Sequence, residues 1–227
     1  MAFSYAEAVP WGRSFDEYRR MFALSEEDLA LRIIGCGDGP ASFNCEMFRQ
    51  GRRVISCDPL YQLSRFQIQE RIKVTYENIM RQTRQNRDRF VWTLIKSPED
   101  LGKARLTAMD QFLTDYDEGK SAGRYVIGEL PALPFEAESF DLALSSHFLF
   151  LYSDNFSLEF HRKAIGEMCR VATEARIFPL LNYNAQPSPY VEPLLKELAQ
   201  AGYISSVEKV PYEFQRGGNQ MLRVRAR

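Results

Sequence analysis

The stretch Leu31-Arg32-Ile33-Ile34-Gly35-Cys36-Gly37-Asp38-Gly39-Pro40 constrains this chain more than any other. A short apolar run stops on glycines at alternate positions, and a proline follows. Glycine reaches backbone conformations closed to other residues and brings no Cβ between backbone and ligand. Gly35, Cys36, Gly37 and Gly39 therefore read as a sharp turn able to face a bound molecule. Leu29 to Ile34 reads as a buried parallel strand. Pro40 to Gln50 reads as a helix, with proline near its first turn and Gly51 at its end. Such a helix directs free N–H groups and a positive dipole end toward the turn. Arg53 to Cys57 is the next strand and ends on Asp58-Pro59. Strand, turn, helix and strand make a βαβ unit.

Residues 60–123 read as a helical insertion between the second and third strands. Ile68, Ile72, Tyr76 and Ile79 recur near helical spacing. Ser97-Pro98-Glu99-Asp100 is a capping-box start, and Leu101, Ala104, Ala108, Phe112 and Tyr116 give a second helix its apolar stripe. The α/β rhythm then resumes: strands at Arg124–Ile127 and Phe140–Ser145, a helix at Leu158–Val171, a strand at Ala175–Leu181 and a helix at Pro189–Gly202. Strands at Ile204–Phe214 and Gln220–Ala226, joined by Arg216-Gly217-Gly218-Asn219, are expected to pair antiparallel. Phe15 to Leu24 reads as a short helix capped by Ser14, within an N-terminal segment 1–28. The expected fold is one α/β domain over residues 1–227: a three-layer, Rossmann-like, seven-stranded, mostly parallel sheet with an antiparallel C-terminal hairpin.

With 29 basic and 30 acidic residues the net charge is −1, which gives no electrostatic case for a polyanion partner. The basic run Arg81 to Arg89 lacks interleaved aromatics and reads as a solvated helix face, so nucleic acid is disfavoured. Cys36, Cys45, Cys57 and Cys169 contain no CxxC pair, and the only histidines are His147 and His161. Neither a metal site nor a disulfide framework is expected; reduced thiols in a cytoplasmic protein are. The N-terminus has no apolar signal core, and the greasiest stretch, Phe140 to Tyr152, is too short to span a bilayer.

Asp58, about twenty residues past the turn, stands where an acid can accept from a ribose diol; by itself Asp58-Pro59 also suits a plain turn. The third motif is Gly128-Glu129-Leu130-Pro131-Ala132-Leu133-Pro134-Phe135, followed by Ser139-Phe140-Asp141-Leu142-Ala143-Leu144-Ser145-Ser146-His147. Together with the glycine turn, Asp58 and the closing hairpin, this resembles the class I S-adenosylmethionine (AdoMet)-dependent methyltransferases, in the branch called type 11. The resemblance implies AdoMet as cofactor and S-adenosylhomocysteine as product. It places Gly35, Cys36, Gly37 and Gly39 along the methionine end, Asp58 at the ribose and Pro59 beside the adenine. Glu129 and the Leu130 N–H would meet the adenine edge. Ser145, Ser146 and His147 would lie at the end of the fourth strand, beside the transferred methyl. The chain departs from the pattern in three places. Ile33 stands where an acid is common, Asp38 stands where serine or threonine is common, and the fifth strand lacks a Pro-Gly-Gly entrance. Asp38 would either repel the methionine carboxylate or replace the missing acid.

His147 is the candidate base by position, with a core histidine as the alternative; His161 is expected on the polar side of its helix. Trp11, Arg13, Tyr18 and Met21 are candidates to cover the cofactor, with Arg13 pairing its carboxylate, and ordinary packing is the alternative. The insertion is a candidate substrate lid. The leading reading is methyl transfer to an O or N atom of a small-molecule acceptor, with no membrane partner. A non-catalytic AdoMet-binding scaffold or sensor is the second reading. A nicotinamide-dependent oxidoreductase is the third, disfavoured because GxGxG replaces GxGxxG.

Overall fold

The computed structural model describes residues 9–226. The first eight positions of the expected N-terminal cap, and the final Arg227, lie outside the described residues. Seven strands form one sheet: β1 (Ile33–Cys36), β2 (Val54–Cys57), β3 (Tyr125–Val126), β4 (Phe140–Ser146), β5 (Ala172–Phe178), β6 (Tyr203–Lys209) and β7 (Gln220–Ala226). Their order is β3-β2-β1-β4-β5-β7-β6. The first five strands pair in parallel, and β7 inserts antiparallel between β5 and β6. This is the α/β fold of class I methyltransferases.

Helices cover both faces, which is why the inner strands read as unbroken apolar runs. Successive residues point to opposite sides. Ile34, Ala143 and Ala175 pack in the cluster that holds α5 (Leu158–Val171) and α6 (Val191–Gln200). Ile33, Leu142 and Leu144 join Tyr18 and Met21 of α1 (Phe15–Met21) and Phe43 and Met47 of α2 (Phe43–Arg49). At the β3 edge a third cluster forms around Tyr61 and Tyr125. It is fed by α3 (Arg65–Gln85) and α4 (Pro98–Ser121) through Ile68, Ile72, Phe112 and Tyr116.

Several boundaries differ from the sequence reading. β1 starts at Ile33, because Leu29 belongs to a 3₁₀ turn, and it runs on through Gly35 and Cys36, paired to Ser56 and Cys57. β5 begins directly where α5 ends and stops before Pro179, which has no N–H to continue the ladder. Within residues 60–123, α4 packs on α2, α3 and β3 and leads the chain into β3. β6 stops at Lys209, and residues 210–219 form a long loop in place of the expected short turn. That loop reaches the link between α3 and α4, where the Val91 N–H donates to the Phe214 carbonyl and the Arg216 N–H to the Arg89 carbonyl, each at 2.8 Å. The Phe90 and Phe214 rings stack at 4.8 Å.

His161 also departs from expectation. It is fully buried, with Nδ1 at 2.8 Å from the Ser157 carbonyl and Nε2 at 3.0 Å from the Leu149 carbonyl, so it locks the start of α5 to the segment after β4. The four cysteines are free thiols. Among the described residues no helix is long and apolar enough to cross a membrane.

Candidate active site

The glycines of the turn have separate jobs. Gly37 and Gly39 hold φ at +66° and +54°, the left-handed region that glycine occupies without a Cβ penalty. A Cβ on Gly37 would lie 2.9 Å from the Phe148 ring, whereas one on Gly39 would meet nothing within 4 Å. Gly35 serves a neighbour: the Asp38 carboxyl folds back to within 2.4 Å of where a Gly35 Cβ would stand. There Asp38 is buried and accepts hydrogen bonds from the Tyr18 and Ser56 hydroxyls, each at 2.5 Å. Burial raises its pKa, against the effect of the two hydroxyls.

Asp58, at the end of β2, accepts from the Gly39 N–H at 2.9 Å and from the Leu60 N–H at 2.7 Å, so it ties the turn to the second strand. Burial, opposed by those two N–H groups and helped by Asp38 and Glu129, pushes its carboxyl up to about 6.

These groups open on a cavity of about 470 Å³ at the carboxyl ends of β1, β2 and β4, the usual ligand position in open α/β sheets. Gly37, Asp38 and Gly39 line it from the turn, Asp58, Pro59 and Leu60 from β2, and Glu129 and Leu130 from the loop after β3. Ser146, His147 and Phe148 line it from the end of β4. Gly35, Cys36 and Ser145 do not. Gly35 lies beneath Asp38, while Cys36 and Ser145 are fully buried in the strands.

Residues 9–13 form a strap across the mouth, and the sequence reading missed what fixes it. A Cβ on Gly12 would fall 2.0 Å from the Pro40 carbonyl oxygen, so only glycine lets the strap lie on the turn. The Ser42 N–H donates to the Arg13 carbonyl at 3.0 Å. The only available signal was a glycine between Trp11 and Arg13, just ahead of the Ser14 cap. Trp11, Arg13 and Tyr18 line the cavity, whereas Met21 packs in the core, the ordinary-packing alternative for this residue.

Arg13 donates from Nη1 to the Trp11 carbonyl at 2.5 Å, and its buried Nε has no partner. Burial and the nearby Arg105 lower its pKa to about 10, so it remains a cation at neutral pH. Beneath it Arg105, fully buried on α4, pairs with Glu17 of α1, and Tyr212 also donates to Glu17 at 2.7 Å. Arg105 sits in phase with Leu101, Ala108 and Phe112, on the apolar stripe of α4. A charge inside a hydrophobic stripe was the signal for a buried pair.

His147 has φ of +53°, donates its backbone N–H to the Phe178 carbonyl at 2.6 Å, and has Nδ1 3.0 Å from the Ser146 hydroxyl. Burial first, then Arg13 and Arg105, push its pKa well below the ordinary histidine value, so the ring is neutral at pH 7. His147 also borders a second cavity of about 100 Å³, which shares Val9, Trp11, Arg13 and Tyr152 with the first. Ile79 and Thr83 of α3, Leu101 of α4, and Phe214 and Gln215 of the long loop are among the other residues of its wall. The Gln215 Oε1 is buried there with no partner. Among the described residues no group of three metal-ligating side chains comes together.

Fold and site together define a class I methyltransferase-like domain with a nucleoside-sized cavity on its glycine turn. The chain belongs to the same family as the uncharacterized protein MJ0045 of Methanocaldococcus jannaschii, with which it is 33% identical over 220 residues, 96% of each chain. No family model matches it. Among solved structures it is similar to magnesium protoporphyrin IX methyltransferase from Synechocystis PCC 6803 with bound SAM. That match has 11% identity and a TM-score of 0.46, over 94% of this chain and 91% of the other. A SAM-dependent methyltransferase from Methanosarcina mazei matches with 12% identity and a TM-score of 0.45, over 89% and 94%.

Proposed function

We propose that the protein is an AdoMet-dependent methyltransferase acting on a small acceptor. The observation that carries this reading is one cavity, at the strand ends, bordered by the backbone of Gly37 and Gly39, the carboxylates of Asp58 and Glu129, and His147. Its volume of about 470 Å³ falls within the roughly 300–1,000 Å³ of cofactor pockets. Asp58 keeps lone pairs free beyond its two backbone bonds and accepts from the ribose diol. Glu129 and the Leu130 N–H read the adenine edge, with Pro59 and Leu60 beside the ring. Gly35, Cys36 and Ser145 act from behind, by shaping the turn and the end of β4.

AdoMet would supply a sulfonium-activated methyl group, which would pass in line to an acceptor O or N as the S–CH3 bond breaks, leaving S-adenosylhomocysteine. The protein's part is alignment and exclusion of water. The second cavity, reached past His147, holds the acceptor, with Gln215 Oε1 positioned to take one hydrogen bond from it. His147, neutral, accepts the proton the acceptor gives up.

Binding of S-adenosylhomocysteine by the full chain, followed by thermal shift and calorimetry, tests the reading. Stabilisation by AdoMet and its product, lost in Asp58→Ala and not competed by NAD, is expected. No stabilisation by either compound at millimolar concentration refutes it.

A further inference from the structure

The two cavities divide charge between them. Asp38, Asp58 and Glu129 line the large one, whereas none of the described residues lining the small one is acidic. The small cavity instead has Arg13 in its wall. Among the described residues Arg13 enters no ion pair. Glu17 lies within electrostatic reach, but its oxygens already accept from Arg105, Tyr212 and Ser14. A cation held away from water is costly unless an anion meets it. The cofactor's sulfonium is positive as well, so an ammonium-bearing acceptor is repelled twice and an anionic one attracted twice.

Much of the same wall is aromatic. Trp11, Phe90, Tyr152, Tyr183 and Phe214 border one small space. Phe90 and Phe214 stack at 4.8 Å, and Tyr152 meets Tyr183 edge-on at 6.3 Å, so neighbouring rings hold one another in place. Such a wall receives a planar ring through face and edge contacts.

Gln215 adds direction. Its Nε2 donates to the Asn182 carbonyl at 3.2 Å, which fixes the amide's orientation and leaves Oε1, buried and unmet, as an acceptor. Asn182 is held in turn, its Oδ1 accepting from the Asn184 and Gln186 N–H groups, each at 3.0 Å. On the other side the Gly218 N–H donates to the Gln215 carbonyl at 2.8 Å. A buried acceptor so fixed gains from a ligand that brings a donor.

We propose that the small cavity takes an aromatic acid as the methyl acceptor: its ring among these aromatic side chains, its carboxylate paired with Arg13, and an O–H or N–H donating to Gln215 Oε1. The proposal rests on the AdoMet reading above and adds to it the charge and shape of the acceptor.

Calorimetry on the full chain in the presence of S-adenosylhomocysteine tests it, with benzoate, 3- and 4-hydroxybenzoate, phenol and tyramine as probes. One hydroxybenzoate is expected to bind about tenfold or more tightly than phenol or tyramine, the scale of a charge-assisted hydrogen bond. Arg13→Gln removes its advantage over phenol. Gln215→Leu brings it to the level of benzoate and leaves S-adenosylhomocysteine binding within about twofold. Phenol or tyramine binding as tightly as both hydroxybenzoates overturns the proposal and leaves the AdoMet reading standing. So does a folded Gln215→Leu protein that keeps the full preference over benzoate, or binding of S-adenosylhomocysteine with none of the five probes. Failure of S-adenosylhomocysteine itself to bind removes the AdoMet reading and the acceptor assignment together.

Discussion

Arg105 and Glu17, 88 positions apart, meet in a two-pronged ion pair with N–O distances of 2.5 and 2.7 Å. The pair joins α4 to α1 directly under the strap, and Tyr212 adds the loop after β6. Removing one member strands the other charge in the interior, at a cost of about 3–5 kcal/mol. Arg105→Met is therefore expected to lower Tm by roughly 10 °C, read by calorimetric unfolding. A drop of only a degree or two means the pair is not buried as described.

The same pair sets an acid limit. Although burial opposes it, Arg105 holds the Glu17 carboxyl down at about 2, below its ordinary value near 4.5. A carboxyl depressed on folding contributes stability above its unfolded pKa and loses it as pH falls toward the folded one. Unfolding free energy should thus decline between about pH 5 and pH 2, and Arg105→Met should flatten that decline. An identical acid profile in the variant would assign the decline to other carboxylates.

Asp58 runs the other way. Its carboxyl, raised to about 6, holds its proton in the folded protein below that pH, and its ionisation destabilises the fold as pH rises from about 4 to 6. Donors from a ribose diol favour the ionised form. Affinity for 5′-methylthioadenosine should accordingly rise with pH up to about 6 and then level, and Asp58→Asn should bind weakly with no such slope. A pH-independent affinity in the wild-type protein removes Asp58 from the ribose contact.

His147 is expected to matter to rate and not to cofactor affinity. His147→Ala should lower kcat by roughly 10²–10⁴-fold, the usual worth of a positioned base, and leave S-adenosylhomocysteine binding within twofold. Because the imidazole is already neutral, kcat at saturating AdoMet should not fall from this group as pH drops from 8 to 6. An inflection near 6.5 that disappears in His147→Ala would contradict the neutral assignment.

Gly12 and Gly39 should respond differently to alanine. Gly12→Ala drives a methyl into the Pro40 carbonyl and must lift the strap, so S-adenosylhomocysteine affinity should fall about tenfold or more. Gly39→Ala meets no atom within 4 Å and carries only the left-handed backbone penalty, about 1–2 kcal/mol of stability. Paired thermal shift and binding measurements separate the two. Equal effects would mean the strap is not seated on the turn.

Much of the frame was legible because period and punctuation agree there. Apolar runs bounded by Gly51, Gly202 and Pro40 gave the strands and helices to within a few residues, and the α5 limits coincide with those observed. The errors fall where tertiary contacts outweigh local pattern. Residues 210–214 alternate like a strand, yet Phe214 leaves the sheet to stack on Phe90. His161 looked polar, but two carbonyls and the Tyr190 ring draw it inside. In the site, Asp58 and Glu129 were readable from their motifs. Gly12, Arg105 and the partners of Asp38 were not, because each acts through a residue far away in sequence.

The strap has a consequence for timing. Val9, Trp11 and Arg13 wall both cavities at once. Neither chamber can admit a ligand that displaces this segment without reshaping the entrance of its neighbour. A ligand that shifts this segment would be felt at both sites, and by the same factor in either direction. Five residues without a motif thus give two adjacent cavities a common wall.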